Sequence, residues 1–238
     1  MLNIYKPQGL TPKETLNLLR LERPDLVEEP LSYAGRLDPL AEGVLPVLVG
    51  KEENQNREKY LKMDKKYLAR FIFGFSTDTG DIMGLIKEKS LNSSLEEFNF
   101  EKAKDLINNL PGKYIQSYPQ YSSPYIAKTT PSPQERIIYS ANLKDSGFIS
   151  PKSLKKEASI IIKKVTGDFR QAEIIENYKT ISDDLNLPWI TLELEVSSGF
   201  YLRGLTEDLS LIFNYPSIVW PIKRIQVGIL RIEDSIIL

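Results

Sequence analysis

The sequence contains no cysteine and no histidine. The first absence excludes disulfides, thiolate nucleophiles and the usual zinc sites; the second excludes every Ser-His-Asp arrangement. General acid–base work is left to Asp, Glu, Tyr, Lys or Arg. An all-carboxylate metal site is compatible with this composition, but no motif points to one. The lack of cysteine fits a cytosolic protein. There is no basic surplus: Lys+Arg is 31, Asp+Glu is 32, and the net charge is −1. A nucleic-acid site would have to come from local clustering of cations, not from total charge. No apolar run approaches the roughly 20 residues needed to cross a bilayer. The opening Met-Leu-Asn-Ile-Tyr-Lys-Pro is no signal peptide, so no membrane association is expected.

What is present is one dense run of special residues, Gly35-Arg36-Leu37-Asp38-Pro39-Leu40-Ala41-Glu42-Gly43-Val44-Leu45-Pro46. Its glycines permit backbone angles closed to other residues. Pro39 fixes its own φ and biases Asp38 towards extended backbone. Val44 to Val49 reads as a buried strand ended by Gly50. A carboxylate on a stiffened loop before a strand suits a catalytic site, although Asp and Pro are also ordinary turn residues.

Around that run the chain reads as mixed strands and helices. Leu2 to Tyr5 is a strand, and Lys6-Pro7-Gln8-Gly9 a turn. Thr11-Pro12-Lys13-Glu14 starts a helix with a Thr cap, Pro at its first position and Glu three residues after the cap. Lys51 to Lys62 is polar and helical. Lys66 to Phe75 alternates as a strand, with Tyr67, Ala69, Phe71 and Phe73 on one face. Thr77 to Asp81 is a turn, and Ile82 to Ile86 the returning strand. Asn99 caps a helix that is stopped by Pro111-Gly112. Tyr114 to Tyr125 and Lys128 to Gln134 read as exposed loop. Ile160-Ile161-Ile162, within Glu157 to Val165, reads as a buried strand, with Arg170 to Asn177 its partner. Pro188 to Ser198 alternates strictly, placing Ile190, Leu192, Leu194 and Val196 inward. Ser197 to Asp208 is a strand end, a glycine turn and a helix start, and Ile222 to Gly228 is a late strand. With 41% hydrophobic residues, a single domain over 1–238 is expected. Strands and helices do not alternate regularly, so the class is α+β.

The run around Asp38 resembles the catalytic motif of the TruB-type tRNA pseudouridine synthases, Gly-x-Leu-Asp-Pro-Leu-Ala-x-Gly-Val-Leu-Pro. Lys6-Pro7-Gln8-Gly9, the strand at Tyr67 with Thr77-Asp78-Thr79-Gly80-Asp81, Ser198-Gly199-Phe200-Tyr201-Leu202-Arg203, and Ile222 to Gly228 resemble further motifs of the same family. The resemblance runs from Leu2 to about Glu233 and is poor over 87–99 and over an insertion at about 125–156. Its length implies a pseudouridine synthase fold, a mostly antiparallel mixed sheet flanked by helices, without the appended C-terminal PUA domain.

The resemblance implies isomerisation of a uridine in the T-loop of tRNA, with no cofactor or metal, by a cytoplasmic monomer. The target base must be extruded from its stack. Asp38 would be the essential carboxylate, as nucleophile or as the base that starts an elimination. Arg203 would pair with it, and Tyr67 would stack on the base and help move the C5 proton. Tyr201 and Ile222 would line the uracil pocket, with Gly35 in the same motif. Lys6, Lys223 and Arg224 would contact phosphates. Tyr33 stands where the family normally has a histidine used in flipping; a tyrosine can still stack on a base. A non-catalytic tRNA-binding or RNA-folding protein on the same scaffold is the alternative from another class.

Overall fold

The computed structural model describes residues 1–90, 93–117 and 132–238. Its centre is a nine-stranded sheet running β1-β3-β10-β4-β9-β8-β7. The strands are β1 (Leu2–Lys6), β3 (Ala41–Val49), β4 (Lys65–Phe73), β7 (Gly112–Gln116), β8 (Gln134–Ile149), β9 (Leu187–Val196) and β10 (Ser217–Val227). The short β2 (Leu31–Tyr33) pairs with β3, β5 (Phe75–Thr77) and β6 (Ile86–Lys89) form a separate hairpin, and β11 (Leu230–Arg231) folds back on β10. Along the main path only β3 and β10 are parallel. The sheet is therefore mixed and mostly antiparallel, as expected.

The alternation in the sequence predicts which side chains are buried. Ala69, Phe71 and Phe73 of β4 and Ile190, Leu192, Leu194 and Val196 of β9 are fully buried on one face. That face is covered by α4 (Phe100–Ile107) and α7 (Leu202–Phe213), through Ala103, Ile107, Leu205 and Leu209. On the other face Ile72, Ile218 and Trp220 meet α5 (Pro151–Ile162) and α6 (Gln171–Tyr178). A third cluster joins Ile4, Leu45 and Val47 to Leu16 and Leu19 of α1 (Pro12–Glu22). The Thr11–Glu14 capping box starts α1, and the Asn99 side chain caps α4 by accepting from the Lys102 N–H. Both caps satisfy helix-end N–H groups that would otherwise lack partners.

Several expectations are corrected. Ile160-Ile161-Ile162 is not a strand. It ends α5, whose buried positions Leu154, Ala158 and Ile162 recur every four residues, while Ile160 is half exposed. Its supposed partner, 170–177, is α6 with Ile174 and Tyr178 buried. The returning strand after the Thr77–Asp81 turn begins at Ile86, not Ile82. Tyr114 to Gln116 lies in β7, and much of the poorly matched 125–156 region is β8 and α5. The remainder of the expected loop, 118–131, lies outside the described residues. Lys51 to Lys62 holds two short helices, α2 (Gly50–Gln55) and α3 (Arg57–Leu61). Among the described residues no helix is long and apolar enough to cross a membrane.

Gly43 is where the sheet is tightest. It pairs with Lys6 on one side and Arg224 on the other. Its φ is +109°, and a Cβ there would sit 2.2 Å from the Arg224 carbonyl oxygen. Gly43→Ala must force β3 and β10 apart, so a loss of roughly 3 kcal/mol or more is expected. Thermal melting would check this; a change below about 1 kcal/mol would contradict so close an approach.

Candidate active site

The loop before β3 is held from below by two buried cations. Arg224 is 1% exposed. It donates to the carbonyls of Val44 (2.8 Å), Gly35 (3.1 Å) and Arg36 (3.3 Å). Lys6 is fully buried, and its Nζ donates to the carbonyls of Leu10 (2.6 Å), Pro7 (3.0 Å) and Pro39 (3.4 Å). Burial pulls the Lys6 ammonium down to about 7, with Asp38 opposing the shift. Leu37 and Leu40 anchor the loop in the core on either side of Asp38. Asp38 itself stays 42% exposed. The loop backbone is thus fixed while its carboxylate faces out.

Arg203 meets that carboxylate from the first turn of α7. Its Nη2 lies 3.2 Å from Asp38 Oδ2, and its Nε lies 3.8 Å from Asp81 Oδ2. Nη1 donates to the Thr79 carbonyl at 3.4 Å. Burial alone would lower the Arg203 pKa, but Asp38 and Asp81 outweigh it and leave the guanidinium raised and cationic. Asp81 is buried behind it, accepting from Thr79 Oγ1 (2.6 Å) and the Met83 N–H (2.8 Å). Desolvation raises the Asp81 pKa, and Arg203 holds that rise back. Gly80 lets this turn touch α7: its φ is +75°, and a Cβ would lie 2.8 Å from the Arg203 carbonyl oxygen.

These groups open into one cleft of about 560 Å³, lined by Asp38, Arg203, Tyr67, Tyr201, Ile222, Tyr33 and Gly35 among others. Tyr67 is 8% exposed, on the core face of β4 at the cleft wall. Arg57 reaches across to the Tyr33 carbonyl at 3.2 Å. The structure therefore brings together Asp38, Tyr67, Arg203, Tyr33, Gly35, Tyr201 and Ile222. It does not bring Lys223, which pairs with Glu42 at 3.6 Å outside the cleft. The expected phosphate contacts at Lys6 and Arg224 are corrected: both side chains are buried and their donors hold loop carbonyls. Three further residues of the site are not among those the resemblance names. Asp81 stands in the quoted Thr-Asp-Thr-Gly-Asp turn, but only the fold brings it to Arg203. Lys65 lines the cleft, donating to the Leu61 carbonyl (2.8 Å) and Ser198 Oγ (3.3 Å). Burial, with Arg224 nearby, pulls its ammonium down to about 8. Gln116 grips the backbone of Tyr201.

The burial of Lys6 gives a direct test. Lys6→Met removes the side-chain donor to the Pro7 and Leu10 carbonyls and is expected to cost about 1–3 kcal/mol on chemical unfolding. It should leave the salt dependence of RNA affinity unchanged, whereas losing a phosphate contact lowers that slope by about one.

Residues 26–128 match the sequence model of the TruB family pseudouridylate synthase N-terminal domain. The tRNA pseudouridine synthase B of Borreliella afzelii is 30% identical over 233 residues, covering 98% of this chain and 71% of the relative. The chain belongs to the TruB family. It is a pseudouridine synthase, an RNA-modifying isomerase of uridine. The TruB-family enzyme of Clostridium tetani, also named tRNA pseudouridine synthase B, is 27% identical over 237 residues, covering 99% of this chain and 70% of that one. Among solved structures, a Cbf5–Nop10–Gar1 complex matches with a TM-score of 0.62 at 17% identity, over all of this TruB-family chain and 51% of the other. The chain spans about half the length of that chain, and at this identity the likeness is one of fold.

Proposed function

We propose that the protein converts a uridine in the T-loop of tRNA to pseudouridine, with Asp38 as the essential carboxylate. The observation that carries this reading is the 3.2 Å approach of Arg203 to Asp38 in the cleft that also holds Tyr67. The guanidinium places a cation beside the carboxylate on which either route depends. Asp38 bonds to C1′ as the N1–C1′ bond breaks, or takes a ribose proton as it breaks. The uracil turns and C5 joins C1′ as the bond to Asp38 breaks or the ribose proton is returned. The C5 proton then leaves and N1 takes one up, so bonds and electrons balance without a redox partner. Tyr67 stacks on the extruded base and assists removal of that proton. Tyr201 and Ile222 flank the ring, and Tyr33 stacks at the rim. With Lys6 and Arg224 buried, the exposed Arg36 and Arg57 become the phosphate contacts. Bacterial relatives named for tRNA support a cytoplasmic setting.

The test is tritium release from unmodified tRNA carrying C5-tritiated uridine, with the product located by chemical mapping. Release confined to one T-loop position is expected. Release from other positions only would overturn the T-loop assignment; no release from any tRNA would overturn the reading itself.

A further inference from the structure

The turn between β9 and α7 carries both Tyr201 and Arg203, and it is gripped from the sheet edge. At its start the Ser197 N–H donates to the Ile137 carbonyl (2.9 Å) and the Ile137 N–H to Ser197 Oγ (2.8 Å). At its end a side chain from β7 takes hold. Gln116, the last residue of β7, donates from Nε2 to the Tyr201 carbonyl (3.1 Å) and accepts the Tyr201 N–H at Oε1 (3.0 Å). One amide thus does for Tyr201 what a neighbouring strand would do. Gln116 as a whole is 9% exposed. Tyr201 is the N-cap of α7 and supplies no side-chain cap of its own. Gly204 has no positive φ to explain it; a Cβ there would lie 3.3 Å from the Gln116 Nε2. The glycine leaves room for the amide.

We infer that Gln116 is a positioning residue for the isomerisation: its amide fixes the Tyr201 backbone, and so sets Arg203 against Asp38 and the Tyr201 ring against the uracil. This rests on the proposed reaction in tRNA. A displacement of about 1 Å at reacting groups costs roughly a hundredfold in rate. Gln116→Met keeps the bulk and loses both hydrogen bonds. It should slow single-turnover conversion about 10- to 100-fold while tRNA affinity stays within about twofold. Gln116→Glu separates positioning from mere packing. Ionised, the introduced carboxylate faces the Tyr201 carbonyl and repels it. Protonated, it has the donor–acceptor pattern of the amide.

The ratio of Gln116→Glu to wild-type rate should therefore rise several-fold as the pH is lowered from about 8 towards about 5.5, since an ordinary Glu titrates near 4.3 and burial raises it. Asp78, Lys87, Glu88, Arg203, Glu207 and Asp208 line the cavity that Gln116 lines; all are common to both enzymes, so the ratio cancels their shared contribution. The Gln116→Met ratio should be flat. An active wild type with an unimpaired Gln116→Met, with affinity alone reduced, or with a flat Gln116→Glu ratio overturns the inference. If Gln116→Met does not fold, the Gln116→Glu ratio decides alone. An inactive wild type would instead overturn the reaction assigned above.

Discussion

Asp38→Ala is expected to lower pseudouridine formation by at least about a thousandfold, with tRNA affinity nearly unchanged. The expectation follows from how the loop is built. Arg224 holds its backbone at Gly35, Arg36 and Val44 and Lys6 reaches the Pro39 carbonyl, and none of these hydrogen bonds uses the Asp38 side chain. Removing a half-exposed carboxylate should therefore leave the fold intact. Asp38→Asn should lose as much activity, because it keeps the shape and removes the charge that the reaction needs. The measurement is tritium release under single-turnover conditions, beside filter binding of the same tRNA. Release by either variant within about tenfold of wild type would remove Asp38 from the chemistry.

Arg203→Met is expected to fail twice. In activity it should lose roughly a hundredfold or more, since the cation beside Asp38 is gone. In stability it should lose about 3–5 kcal/mol, because Asp81 is left buried and unpaired. The pH dependence gives the sign. Asp81 has a folded pKa above its unfolded value, by desolvation that Arg203 partly offsets. A carboxyl of that kind binds its proton more tightly when folded, so its contribution to stability improves as the pH falls through the folded pKa. Without Arg203 that pKa rises further. The stability deficit of Arg203→Met should thus shrink as the pH drops from neutral towards 5, read from denaturant midpoints. A deficit independent of pH would mean that Asp81 is not the group left stranded.

Local signals in the sequence carry much of this architecture. The β4 and β9 alternation, the Thr11 and Asn99 caps and the rigid loop at Asp38 are all legible, because each depends on neighbours a few residues away. Two helices misread as strands show the limit. The three isoleucines at 160–162 look like a buried run, yet only Ile162 is fully buried; the informative spacing is Leu154, Ala158, Ile162. The long β8 is hidden because register shifts at Ile138/Ser140 and Leu143/Asp145 break its period of two. At the site, residue types point to Asp38, Tyr67 and Arg203 only through family likeness. Asp81 behind Arg203, and Gln116 behind Tyr201, require the three-dimensional path of the chain. Lys6 and Arg224 are misassigned for the same reason: a cation's letters do not reveal that its neighbours are carbonyls of the interior.

The placing of β3 between β1 and β10 governs when a newly made molecule becomes competent. Gly43 meets Lys6, which precedes it in the chain, but its other neighbour is Arg224, far downstream. A nascent chain still missing β10 has no donor for the Gly35 and Arg36 carbonyls and no parallel strand beside Ala41. Its Asp38 then sits on a segment held from the Pro39 side by Lys6 and the Gly9 N–H, but not from the Gly35 side. Competence therefore waits until β10 has left the ribosome and paired beside β3.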